Sequence, residues 1–532
     1  MTQQVQARRR NPGVRRWSAV AVAALVTSTL SAVVGTPAAQ AAPGTRTLAY
    51  VANLNGNSVS VVDTATNSVT ATVGGFAGPI SVAITPSGTA VYVANQAADS
   101  VSVLDTRSNA ITATIPVGAV PQKVAVAPSG ATAYVANASD NTVSVIDTAT
   151  AAVTATIGGF NRPTSLAITP NGTVYVANAF GDSVSVVDPT THAITATIGV
   201  GSRPLSITAS PSGSVYVANF FGNSVSVIDT ATNTVTATVG GFTGPNPLEA
   251  SPTGGTVYVS DNVSVSAIAT ATDTRTATLG GFLTPRGIAF TPSGATAYVA
   301  DLLNGTLTVI DTATTTATAT IGGFNRPFAV VVGTVPLPAV TAVTPDRGPK
   351  AGGTVVTLTG TNLTGTTAVT FGATPATSFT VNSDTSITAT APAAAAYGPV
   401  DVTVTNAVGA GTTTGRYTYA YPFTGFLAPV ANPPAVNHRL AGLPVLLRFT
   451  LGGDQGPHVL APGSPTSRQV DCTTLAPIGA PQPTAGPGLV YNHLTGHYTY
   501  TWLTDPHWHG TCRTVDLTLA DGTVHSAHFR FL

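Results

Sequence analysis

The 532-residue sequence predicts an all-β protein: a seven-bladed β-propeller, then a β-sandwich, then a small C-terminal β-domain. Three observations predict it. A Tyr-Val-(Ala/Ser)-(Asn/Asp) motif opens at Tyr50, Tyr92, Tyr134, Tyr175, Tyr216, Tyr258 and Tyr298, recurring every 40 to 42 residues. Only 8% of residues are charged, Glu249 is the single Glu, and Lys123 and Lys350 are the only Lys, so the chain has the composition of strands and turns rather than helices. After Val335 the repeat gives way to short alternating runs broken by Gly and Pro.

Residues 1–41 read as an export signal. Arg8, Arg9, Arg10, Arg15 and Arg16 form a basic region, Ala19 to Val34 is apolar, and Ala39-Gln40-Ala41 fits a small-residue cleavage site. The pattern leaves the general and twin-arginine routes open. No later apolar run is long enough to span a membrane, so the expected product is secreted, extracellular or held at the cell envelope.

Within 45–334, each Tyr motif is followed by a strand such as Ser58–Asp63 and another such as Ser68–Val73, and each later motif is preceded by a Pro-led run and a turn such as Pro86-Ser87-Gly88. Four strands per repeat is the size of a propeller blade. The first copy lacks its leading strand, whereas Phe328–Gly333 is a leading strand with no Tyr strand after it. Placing it beside the N-terminal strands closes the ring and leaves no open edge. The repeats resemble the YVTN family of propeller repeats, with Tyr-Val-Ala-Asn where the family has Tyr-Val-Thr-Asn. That resemblance implies a seven-bladed propeller of the kind found in surface-layer and other secreted proteins, with lactone-opening and lyase enzymes among related propellers. The sixth copy departs from the pattern, carrying Ala269 where others carry Asp.

Residues 337–421 hold short alternating strands. With Pro345, Gly348, Pro349, Gly352, Gly353, Gly360, Phe371, Gly372, Gly398 and Pro399 they resemble an IPT/TIG immunoglobulin-like domain, which implies an immunoglobulin-like β-sandwich serving as a spacer or protein contact. Residues 422–439 are expected to be an extended Pro-rich linker. In 440–532, Leu443–Gly456 and Gly510–Leu532 resemble the PxKF domain found at the ends of secreted bacterial proteins, with Arg448 where that motif has Lys. Cys472 and Cys512 are expected to form a disulfide, because two cysteines alone make a poor zinc site. His507 and His509 are two apart, a spacing that on a strand would let them share a metal, but no third ligand is evident. Tyr498, Tyr500 and Trp502 alternate onto one strand face and are expected in the core.

The zero net charge argues against nucleic acid as a partner. The recurrent Asp63, Asp105, Asp147, Asp188, Asp229 and Asp311 precede Thr-rich turns and are expected to accept bonds from their own turn backbones. The leading strand of each blade should line the central channel. Lys123 and Glu249, from blades three and six, are the only ionisable residues at its inward positions. Catalysis by acids, bases or metal needs more converging groups than this, so no catalytic residue, metal or cofactor is expected. A binding face is expected instead: Arg162, Arg203, Arg286 and Arg326 in the loops entering the leading strands, beside Phe180, Phe220 and Phe221 in the loops after the Tyr motifs. The first expectation is therefore a secreted, monomeric, non-enzymatic protein whose propeller face recognises an extracellular protein, peptide or polysaccharide. An extracellular lactonase or lyase and a cell-surface coat component are its rivals.

Overall fold

The computed structural model describes residues 44–532, apart from the side chains of 414–416; the export signal lies outside the described residues. Seven four-stranded antiparallel sheets form the propeller. Blade 2 is typical, with strands Pro79–Ile84, Ala90–Asn95, Ser100–Asp105 and Ala110–Pro116 running from the channel outward. In blade 1 the innermost strand is Pro327–Pro336, which pairs antiparallel with Thr45–Asn53. The last propeller strand thus closes the ring on the first, and the edge expected from the orphan strand is sealed by backbone hydrogen bonds.

The repeated motif explains itself in hydrogen bonds. In blades 1 to 5 the Asn that ends the second strand is buried and donates to two hydroxyls on the third, whereas Ser260 and Asp301 stand there in blades 6 and 7. Asn53 Nδ2 reaches Ser58 Oγ at 3.1 Å and Ser60 Oγ at 2.9 Å, and Asn95, Asn137, Asn178 and Asn219 repeat the arrangement. The seven Tyr rings are almost wholly buried, and several hydroxyls reach the outer turn of the next blade. Tyr175 donates to Asn233 Oδ1 at 2.7 Å and Tyr298 to Asn67 Oδ1 at 2.9 Å, the latter from blade 7 back to blade 1. An innermost strand has one edge without a strand partner. Hydroxyls of the preceding blade meet part of that edge: Ser81 accepts from Val124 N–H, Ser206 from Leu248 N–H and Thr208 from Ala250 N–H. At Gly287 the neighbouring backbone of Ala329 comes within 2.8 Å of where a Cβ would stand, so only Gly fits.

The Asp residues at the third-strand ends cap their turns. Asp188 Oδ1 accepts from Thr191 N–H at 2.7 Å, and Asp229 Oδ1 accepts from Thr232 N–H at 2.8 Å. These bonds hold both carboxyls below the usual range.

The IPT/TIG segment is a sandwich of a four-stranded and a five-stranded sheet around Val356, Leu358, Phe371, Ile387 and Tyr417. It meets the propeller at the Asp-capped face. Arg107 spans the junction, pairing with Asp105 at 2.6 Å and Asp384 at 2.7 Å. Arg46 pairs with Asp63 at 2.5 Å and donates to Val408 O at 2.6 Å, and Val408 is buried among Leu48, Val335 and Leu337.

The C-terminal domain has two further sheets around Trp502, Tyr498, Phe449, Phe529 and Phe531. Cys472 and Cys512 are joined, with their Cα atoms 5.1 Å apart. Tyr498, Tyr500 and Trp502 lie in this core. The stretch 422–439 is not an extended linker. Phe426–Leu427 pairs with Phe449 and Arg448, and Val436–Arg439 pairs in parallel with Val524–Phe531. Apolar anchors between the prolines account for this: Phe426 and Val430 are buried in the domain core, and Asn432 ties its side chain to both backbone groups of Phe426.

Candidate binding face and channel

The face opposite the Asp caps is built by the second-to-third-strand loops and the crossovers between blades. Five crossovers use one device. An Asn or Asp in the loop accepts a hydrogen bond from a crossover N–H 21 residues later: Asn57 to Gly78, Asp99 to Val120, Asn141 to Arg162, Asp182 to Arg203 and Asn223 to Gly244. The residue before the crossover Pro takes a left-handed backbone, with φ of 54° at Arg162, 55° at Arg203 and 56° at Arg326. Glycine adopts this conformation without steric cost and holds the position at Gly78. An Arg there costs on the order of 1 kcal/mol and turns its side chain into a functional candidate.

The backbone places Phe beside Arg. The carbonyl of Arg162 accepts from Ala179 N–H at 3.0 Å, and that of Arg203 from Phe220 N–H at 2.9 Å, so the next residue in each loop lies against the guanidinium. Arg162 stands 4.7 Å from the Phe180 ring centroid, while Arg203 is 5.6 Å from Phe180 and 4.7 Å from Phe221. The four side chains form a continuous cation–π ladder across blades 4 and 5. Phe180 is 57% and Phe221 60% exposed. Phe220 is different: it is half-buried, and its ring leaves only 3.0 Å to a Cβ built at Gly244, which explains the glycine there. Exposed Val263, Leu283 and Leu303 extend the apolar surface around blades 6 and 7.

Arg286 is not in a loop. Pro285 begins the strand, so Arg286 lies on Pro285–Phe290 and lines the channel mouth, 6.0 Å from the Phe328 ring centroid. Its half-buried guanidinium has an unpartnered buried Nε, and desolvation lowers its pKa. Arg326 is exposed in its loop. No carboxylate forms an ion pair with Arg162, Arg203, Arg286 or Arg326 among the described residues.

The mouth opens on this same face into a cavity of about 180 Å³ lined by Ser81, Gln122, Lys123, Ser206, Glu249 and Arg286, among others. Lys123 and Glu249 both line it but form no direct ion pair. Their registers explain the offset: Glu249 lies opposite Tyr258 of its blade, whereas Lys123 lies opposite Ala136, one layer nearer the mouth than the Tyr134 position. Glu249 keeps some accessible surface because it faces the lumen, yet it is surrounded by protein; burial raises its pKa, and the Lys123 charge opposes the rise. No group of three or more His, Cys, Asp or Glu is placed to hold a metal among the described residues, and His507 is instead bonded to Asp505 at 2.8 Å.

Comparisons with known proteins agree with this architecture. The family model for a seven-bladed β-propeller lactonase matches residues 45–156, that for a YNCE-like β-propeller matches 167–260, and that for an IPT/TIG domain matches 338–421. No curated protein matches the sequence. Among solved structures, a functionally unknown protein from Desulfotomaculum acetoxidans is similar at 18% identity and a TM-score of 0.50, over 54% of this chain and 98% of that one. A hydrazine synthase from Kuenenia stuttgartiensis has 20% identity and a TM-score of 0.45 over 50% and 97% of the two chains. A candidate 6-phosphogluconolactonase from Bacteroides fragilis has 18% identity and a TM-score of 0.48 over 54% and 98%. The chain therefore combines a β-propeller with lactonase-type and YNCE-like repeats and an IPT/TIG domain.

Proposed function

We propose that the protein is an exported binding protein whose Arg- and Phe-bearing propeller face holds an acidic extracellular polymer. The carrying observation is that Arg162 and Arg203 lie over exposed Phe rings with no carboxylate partner. Cations placed beside flat apolar surface suit a ligand that supplies negative charge together with rings or aliphatic stretches. Export is supported by the leader pattern in 1–41 and by the Cys472–Cys512 disulfide. The YVTN-type reading of the repeats and the PxKF-like reading of the last domain, taken as an attachment module, are parts of the same proposal. The test is binding to an array of acidic and neutral polysaccharides and cell-envelope proteins, with Arg162→Ala and Phe221→Ala variants alongside. Binding to acidic polymers that both variants lose is expected. Equal binding by wild type and variants removes this face from the reading.

A second reading has its own support. The lactonase family match covers blades 1 to 3, and the channel mouth pairs one carboxylate of raised pKa with two cations. Opening a lactone by water needs a base to take the water proton and a cation to steady the oxyanion. Glu249 suits the first role, and Lys123 or Arg286 the second. A panel of lactones followed by acid release tests it. Hydrolysis abolished in Glu249→Gln supports the enzyme reading, and no hydrolysis by the wild type ends it.

A further inference from the structure

The C-terminal domain carries a second cavity, remote in sequence from the propeller loops, of about 380 Å³. Trp502, Trp508 and Arg513 form its apolar and cationic wall, and Gln482, Thr504 and Asp505 supply polar groups. The Arg513 guanidinium lies 4.0 Å from the Trp508 ring centroid, and its Nε donates to Ser467 Oγ at 2.9 Å. That leaves the two terminal nitrogens without a protein hydrogen bond among the described residues. The Trp502 indole N–H belongs to a fully buried side chain and has no acceptor. Asp505 accepts from the His507 backbone and ring through Oδ1, each at 2.8 Å, and its Oδ2 bonds no protein donor among the described residues.

The walls are held in advance. Cys512, next to Arg513, is bonded to Cys472, and Thr484 Oγ1 lies 2.7 Å from the Tyr500 hydroxyl beneath the cavity. Pre-set walls reduce the ordering cost of binding.

The donor and acceptor set selects the ligand. A simple anion would meet Arg513 but also the Asp505 carboxylate, and a purely apolar molecule would cover the Arg513 terminal nitrogens and Asp505 Oδ2 without bonding them. A polyhydroxylated ring answers all of them. Its hydroxyls donate to Asp505 Oδ2 and the Gln482 carbonyl and accept from the Arg513 terminal nitrogens, while its C–H face lies on the exposed Pro483 and Leu503 of the lining. We propose that this cavity is a binding site for one neutral sugar ring, independent of the propeller face.

Trp502 and Trp508 are the only tryptophans among the described residues, so intrinsic fluorescence reports on the site. The full protein is titrated with glucose, galactose, mannose and their N-acetylated forms, and with glucuronate. A saturable fluorescence change with at least one neutral sugar is expected, with glucuronate about tenfold weaker or worse. Asp505→Asn and Gln482→Ala, both at exposed positions, should each weaken binding about tenfold while leaving the unfolding temperature unchanged. No saturable change with any neutral sugar, tighter binding of glucuronate, or unaltered binding by both variants overturns the proposal. Arg162→Ala and Phe221→Ala should leave the titration unchanged, which separates failure here from failure of the propeller face.

Discussion

The two faces of the propeller are made by the same repeat, yet they treat charge in opposite ways. On one face, every repeated Asp bonds its own turn, and both arginines there are paired: Arg46 with Asp63, and Arg107 with Asp105 and Asp384. The sandwich docks on that face. On the other face the Asn and Asp side chains of the loops bond the crossover backbone, and the arginines are left over Phe rings, at the channel mouth or, for Arg326, exposed in a loop, without a carboxylate. In a chain with so few charged residues, four arginines without ion pairs on one face, with Lys123 in the channel mouth beside them, mark a surface shaped for something other than folding. The contrast separates arginines that hold domains together from arginines that are free to hold a partner.

The strongest break of this contrast is the double variant Arg162→Ala/Arg203→Ala, which removes both cations of the ladder. Binding of the acidic polymer should fall about a hundredfold, with the unfolding temperature unchanged. Wild-type binding should also weaken as salt rises, since exposed charges are screened. On the opposite face, Asp105→Ala should do the reverse. It removes the turn cap and the Arg107 partner at the sandwich junction, costs about 2 kcal/mol in thermal or urea unfolding, and leaves ligand binding intact. If Asp105→Ala abolished binding as well, the two faces would not be separable in function. A smaller effect belongs to ring closure. Tyr298→Phe deletes the bond from blade 7 to Asn67 of blade 1 and should cost about 1 kcal/mol. Burial and the nearby Asp63 raise this phenol to about 12, so its loss should read the same throughout the neutral range.

Much of this architecture was legible in the repeat. The Tyr spacing counts the blades, and the leading strand without a following Tyr marks the closure, because a blade of fixed strand number leaves only one place for it. The Asp turn caps were legible too, since an Asp before a Thr-rich turn has its acceptor role built into local geometry. What escaped were features made by residues distant in sequence or disguised by composition. Residues 422–439 have the prolines of a linker, but Phe426 and Val430 seat the segment in the core of the last domain. Arg286 reads as a loop residue until Pro285 is seen to begin the strand, which turns it toward the channel mouth. The exposed member of Phe220–Phe221 could not be chosen without knowing that Phe220 fills the space beside Gly244. The C-terminal cavity joins Gln482 and Arg513 through strands that both pair with Thr466–Val470, and sets them beside Trp508 and Leu503, a meeting that no local pattern announces.

The channel between the two faces gives the last and smallest prediction, and its sign follows from Glu249. Burial raises the folded-state pKa of this carboxyl above its ordinary value. Folding then binds a proton, so the stability contributed by the neutral acid is complete below about pH 4 and is lost as pH rises through the folded pKa. Gln cannot ionise and keeps the neutral state at every pH. Glu249→Gln should therefore match the wild type in acid and unfold a few degrees higher at neutral pH, in thermal scans taken at a series of pH values. Lys123 opposes the cost through its charge across the lumen. Lys123→Met should enlarge the neutral-pH deficit, and adding Glu249→Gln to it should erase that enlargement. If the two substitutions act additively at neutral pH, Lys123 and Glu249 are not coupled, and the lactone-opening reading loses the cation nearest in role to its base. A rescue by the double variant would instead show one shared electrostatic site at the base of a face whose other cations point outward to a ligand.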